Sequence, residues 1–224
     1  FKVAVLLDDR HAEVDHSVQE QLQKLADFLG KKKVKVSDTA RPAFDTGTIH
    51  EVYMKLLNAA TSGRMPDEEY AARRAAAEGL GADDKSTLAQ MLRGMVLSHR
   101  DWLALNERRH RMRLVWDAFL KDYDVLLCPV TASAAFPHDH DPSRAKRTIV
   151  VNNKRVPFSD QLFWAGYTCV TYLPATAAPI GQTADGLPVG VQIVGPQYGD
   201  YTTIAFAKLL EQEYRSFVPP PAYQ

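Results

Sequence analysis

Amide, ester and phosphoryl chemistry usually begins with an activated serine, cysteine or metal-bound water, so those residue types come first. The serines of this chain stand singly, Ser133 and Ser159 among them, with no Ser-Ser pair and no Gly-Gly-Ser-Ser loop. No Gly-x-Ser-x-Gly elbow, P-loop or dinucleotide fingerprint occurs. The stretch Pro137–Asp141, PHDHD, offers His138 and His140 with Asp139 and Asp141. It lacks distant partners at ligand spacing and reads as a surface loop. His11 and His16 beside Asp8, Asp9 and Asp15 are equally generic. The reading therefore calls for no metal and no cofactor. Cys128 and Cys169 both lie in apolar surroundings and read as buried thiols, because two cysteines in 224 residues do not make a disulfide framework. Lys31–Lys33 is a short basic run that reads as a solvated turn, and Arg108, Arg109, Arg111 and Arg113 cluster on a stretch with helical periodicity.

The elements that must position these groups follow from periodicity. Phe1–Leu7 is a buried strand. Asp15 caps a helix whose apolar residues fall at Val18, Leu22, Leu25, Phe28 and Leu29, and Val34–Val36 is the next strand. This β-α-β unit implies a parallel pair with a right-handed crossover. His50–Leu57 reads as a helix, and Pro66 followed by three acids starts another. One long helix is expected from about Lys85 to Leu120, with His99, Asn106 and Arg109 as polar groups on or near its apolar stripe. Tyr123–Val130 is a fully apolar strand, Thr131–Arg147 a surface loop, and the residues after Ser159 a helix bearing Trp164 and Tyr167. Tyr172–Val194 forms a hairpin turning at Asp185–Gly186. Val189, Val191 and Ile193 share one face and Gly190 lies on the other. Pro179 and Pro188 must sit where ladder bonds are missing. Asp200 caps a last helix, and VPPPAYQ ends the chain.

Lys plus Arg equals Asp plus Glu at 27 each, so no net field draws the chain to nucleic acid or an anionic membrane. No stretch approaches the length of a membrane span, and a cytoplasmic location is the expectation. The chain opens at Phe1, already inside a strand, whereas termini ordinarily fray; a preceding segment is expected.

The stretches DYDVLLCPVTASAA, LPATAAPIG and GLPVGVQIVGPQYGDYTTIAFAKLLEQ resemble the C-terminal part of an amidase signature enzyme, and FKVAVLLDD resembles the strand after that family's signature region. The resemblance covers essentially the whole chain. It implies an α/β fold in which residues 1–224 form the C-terminal portion of one large mixed β-sheet flanked by α-helices. In that family a Lys, a bridging Ser and a nucleophilic Ser hydrolyse amides. The lysine, its pKa lowered by burial, draws the nucleophile's proton through the bridging hydroxyl. All three lie upstream of the strand that Phe1–Leu7 resembles, so no catalytic residue carries over and this chain alone is expected to be inactive. What the resemblance implies is the substrate side. In the family's amidotransferase branch an Arg on the helix before the Tyr-Asp strand binds a substrate carboxylate, and counting back from Tyr123–Asp124 reaches Arg109. A solvated basic helix face is the alternative for it. Asp160 falls close to, but out of register with, that branch's substrate-binding acid. Thr131, Trp164 and Tyr167 are expected as pocket walls, with plain core as the alternative for the two aromatics.

The implied partners are a small-molecule amide and the missing N-terminal half; a homodimer is compatible with the reading. The rival reading is a non-catalytic binding or interaction protein built on half of the fold. Half a sheet would expose strand edges and an apolar face, which argues against that rival unless a partner covers them.

Overall fold

The computed structural model describes residues 1–142 and 146–220; the end of the surface loop (143–145) and the last residues of the tail (221–224) lie outside the described residues. Five strands form one sheet in the order β2-β1-β3-β7-β6. Strand β1 (Lys2–Val5) pairs parallel with β2 (Lys35–Ser37) and with β3 (Val125–Pro129). Between β1 and β2 runs α1 (His16–Lys31), giving the parallel unit that periodicity implied. Strands β6 (Ala175–Gln182) and β7 (Pro188–Val194) join antiparallel to each other, and β7 pairs antiparallel with β3. The sheet is therefore mixed, as expected. Strand β6 is its outermost member on one side and the three-residue β2 on the other.

The prolines behave as their missing donors require. Pro188 opens β7. Pro179 pairs opposite Gly190 on the outer strand, and the register slips between Pro179 and Gly181. Residues 183–187 close the hairpin with Gly186 at φ 81°, held by Thr183 N to Leu187 O at 2.9 Å.

Helices cover both faces. Thr176 on β6, opposite Ile193, donates to Thr203 of α7 (Asp200–Glu213) at 2.8 Å. Gln192, the next residue on β7, points the other way, to α6 (Leu162–Cys169). Helices α1 and α7 are joined by Lys32–Glu213 at 3.0 Å and by the Phe28 and Tyr214 rings. Around α6 gather α2 (Thr46–Ser62) and α5 (His99–Phe119), with α3 (Asp67–Glu78) and α4 (Thr87–Met95) outside them. Trp116, Trp164 and Tyr167 are the largest fully buried side chains and stack at steep ring angles. Gly166 lets α6 approach α2, because a Cβ there would lie 2.3 Å from the Tyr53 ring.

Three expectations are corrected, and one element is new. The long helix is two: α4 ends at Met95, and Ser98 opens α5 by accepting from Asp101 N. The serine cap competes with continuation of the helix. Cys128 is buried but Cys169 is exposed at the end of α6. Gly199, not Asp200, is the cap of α7, and Asp200 is its first residue. A second sheet was not anticipated: β4 (Thr148–Val151) and β5 (Lys154–Pro157) form a hairpin whose two-residue turn, Asn152–Asn153, has φ of 49° and 63°. Asn152 docks it on the start of α1. It donates to Val14 O and Glu13, receives His16 N, and gives its own N–H to the cap residue Asp15.

Candidate functional site

Strand β3 ends at Pro129, and the chain then passes over the end of the sheet. The bend is pinned from three sides. Thr131 Oγ1 donates to Ser133 O at 2.8 Å. Gln161, on the 3-10 turn Phe158–Gln161 before α6, accepts from Ala132 N and donates to Ser133 Oγ, both at 3.0 Å. Ala132 O accepts from Asp15 N at 2.7 Å. Between this bend and the β6–β7 hairpin opens a cleft of about 440 Å³, lined by Val18, Thr131, Ser133, Phe136, Pro179 and Gly190 among others. Its wall is mostly apolar with a few fixed polar groups, the composition of a small-molecule site.

Gln192 ties the cleft's frame to the helices behind it. Its amide nitrogen donates to Trp164 O at 3.2 Å and approaches Cys128 Sγ at 3.3 Å, and its oxygen accepts from Thr168 Oγ1 at 3.1 Å. Burial pushes the Cys128 thiol up to about 12, so it is an inert core group.

The four residues implied for the substrate side do not converge. Thr131 lines the cleft. Trp164 and Tyr167 are buried in the aromatic core, at 0% and 1% exposure. Burial also drives the Tyr167 hydroxyl upward, so it stays protonated. Arg109 lies on α5, bonded to Asn106, with its guanidinium 4.5 Å over the Tyr172 ring. Asp160 is half-buried beside Gln161; desolvation raises its carboxyl, and no side chain or backbone N–H bonds that carboxyl among the described residues. Gln161, Gln192 and Tyr172 escaped the sequence reading. A glutamine inside the apolar run Val189–Val194 was a usable signal for Gln192; nothing local marks Tyr172, which adopts φ 60°. His138 and His140 form no metal cluster with other side chains among the described residues.

This mixed sheet covered by helices on both faces is a fold shared with solved structures. The chain superposes on a structure described as an amidase with TM-score 0.68 at 21% identity, covering 95% of this chain and 46% of that one. On a bacterial aryl acylamidase of the amidase signature family the score is 0.65 at 17% identity, covering 98% and 46%. The family profile described as Amidase matches residues 1–204, and the chain belongs to that family. Among curated relatives, a glutamyl-tRNA(Gln) amidotransferase polypeptide of Methylocella silvestris is 31% identical over 159 residues, 69% of this chain and 30% of the relative. The indoleacetamide hydrolase of Bradyrhizobium diazoefficiens is 24% identical over 216 residues, 94% of this chain and 37% of the relative. The chain thus spans about a third of those relatives' length. Among the described residues no helix is long and apolar enough to cross a membrane.

Proposed function

We propose that this chain is the C-terminal, non-nucleophilic part of an amidase that hydrolyses a carboxylic amide C–N bond through an acyl-enzyme. The observation that carries the reading is the family match over residues 1–204 combined with coverage of less than half of each relative above. The lysine, bridging serine and nucleophilic serine belong to a preceding segment. This chain supplies core strands and one side of the substrate pocket. The Thr131–Phe136 bend and the β6–β7 hairpin form the wall against which the acyl or aryl group packs. Trp164 and Tyr167 back that wall from the core, and Arg109 binds an anionic group of the substrate. The partners are an amide small molecule and the preceding segment, with no nucleic acid, membrane, metal or cofactor.

The test compares the 224-residue chain with the same chain extended upstream in its reading frame. Both are assayed for ammonia or aniline release from simple amides and acyl anilides, and for serine labelling by a fluorophosphonate. The extended protein is expected to turn over and label on an upstream serine, and the chain alone to do neither. Turnover with labelling at any serine of this chain, or an extension without a lysine and serine pair, sinks the reading. In the second case a non-catalytic binding role takes its place.

A further inference from the structure

The amide of Gln161 fixes the direction of a short chain of hydrogen bonds at the cleft wall. The backbone N–H of Ala132 can only donate, and it reaches Gln161 Oε1 at 3.0 Å. The Gln161 nitrogen must then be the group that faces Ser133 Oγ, also at 3.0 Å, and Ser133 accepts. A serine hydroxyl that accepts still carries a proton to give. Among the described residues no protein group receives it, although Ser133 is only 9% exposed. Buried polar groups in native proteins nearly always find a partner, so this proton needs one. Thr131, the other polar side chain on the cleft lining, is in the opposite condition. Its proton goes to Ser133 O at 2.8 Å, and only its lone pairs are left. Ser133 is therefore the one side-chain donor that the cleft offers among the described residues, and no charged side chain lines the cleft. Residues 133–136 also border a second cavity, of about 660 Å³, where Asp15, Asp139 and Asp185 outnumber Arg155. An anion is disfavoured from both sides, by the apolar wall and by those carboxylates.

We propose that Ser133 selects the substrate by donating its hydroxyl proton to a neutral oxygen or nitrogen acceptor on the acyl or aryl group, such as a ketone, an ether or a ring nitrogen. Gln161 is the positioning residue that keeps this proton turned out of the wall. The bonds from Ala132 to Gln161, from Gln161 to Ser133 and from Ser133 to the ligand run in one direction, and hydrogen bonds in series polarise one another. The role is one of specificity, and no covalent step passes through Ser133. The proposal rests on the reading of this cleft as a substrate wall and names the substrate class: an amide whose cleft-bound group is uncharged and bears a hydrogen-bond acceptor.

Acetophenone and its alkene isostere α-methylstyrene differ by a carbonyl oxygen in place of a methylene. Both are titrated into the 224-residue chain labelled with carbon-13 at the alanine methyls, and the signals of Ala134, Ala135, Ala177 and Ala178 in the cleft wall give the affinities. The readout is the ketone-to-alkene affinity ratio, in which the apolar contacts shared by the two probes cancel. Ser133→Ala is expected to lower that ratio about fivefold, the worth of one neutral hydrogen bond. Ser133→Thr keeps the hydroxyl and is expected to hold the ratio within about twofold of the parent. Gln161→Glu tests the direction itself. Its carboxylate still accepts from Ala132 N but can only accept from Ser133 as well, so the proton turns into the wall and the ratio is expected to fall as far as in Ser133→Ala. A ratio unchanged in Ser133→Ala or in Gln161→Glu, or alanine signals that respond to neither probe, overturns the proposal. No amide is turned over here. A ratio that moves as expected supports Ser133 whether or not the extended protein hydrolyses amides, and turnover with an unmoved ratio removes the role of Ser133 and leaves the hydrolysis reading standing.

Discussion

Gln192 gives the sharpest test of how the cleft is held. Replacing it with leucine keeps the volume and deletes the amide. Two well-placed bonds disappear, to Trp164 O at 3.2 Å and from Thr168 Oγ1 at 3.1 Å. The contacts at 3.3 Å to Cys128 Sγ and 3.5 Å to Pro129 O are weak by length and chemistry. Each lost neutral bond is worth about 1 kcal/mol net, and the Thr168 hydroxyl, 3% exposed, is left buried without its partner. Gln192→Leu should therefore destabilise by about 2 kcal/mol. Gln192→Ala adds a cavity and should reach about 3 to 4 kcal/mol. The decisive variant is Gln192→Leu with Thr168→Val. It removes both partners, and replacing both by apolar groups of similar shape is nearly neutral. Urea denaturation followed by the fluorescence of buried Trp116 and Trp164 measures all three. At a slope of about 2 kcal/mol/M the single leucine variant shifts the midpoint by about 1 M. The reasoning fails if Gln192→Leu lies within about 0.5 kcal/mol of the parent, or if Thr168→Val makes that variant worse.

Two further outcomes follow from titrating groups. Burial, then the nearby His11, lowers the His50 imidazole from 6.5 to about 4. The folded state keeps it neutral while the unfolded chain protonates below about pH 6.5, so stability is full above that value and falls as pH drops toward about 4. The urea midpoint should fall across that window by more in the parent than in His50→Phe, and parallel pH profiles would contradict the assignment. Cys169 is exposed while the Cys128 thiol is pushed up to about 12. A disulfide reagent at about pH 8 should therefore titrate one thiol in the native chain and two in urea, and two fast thiols in the native state would place Cys128 wrongly.

The parallel β1-α1-β2 unit was legible because Val18, Leu22, Leu25 and Leu29 repeat with helical period and are all buried. The β6–β7 hairpin was legible from its Asp-Gly turn and alternating valines. The break between α4 and α5 was not, because the apolar stripe runs on through Val96 and only the Ser98 cap marks the stop. The β4–β5 hairpin hid behind an Asn-Asn pair, a turn signal that went unused. The candidate site was legible only in Thr131. Gln161 and Gln192 act across 24 or more residues of sequence, a separation that no local pattern encodes. Arg109 was singled out only through the family resemblance, and its contact with Tyr172 depends on a backbone angle that tyrosine rarely adopts.

The two ends of the main sheet are unequal, and the inequality gives the molecule a direction. At the β2 end the ladder stops after three residues, too short to template another strand. At the β6 end the strand is eight residues long, alternate residues turning their backbone donors and acceptors away from β7, and Pro179 within it has no donor to offer. A strand that lengthens this sheet at β6 must accommodate Pro179 and the register slip beside it. On the longer edge a proline thus sets the register a newcomer has to match.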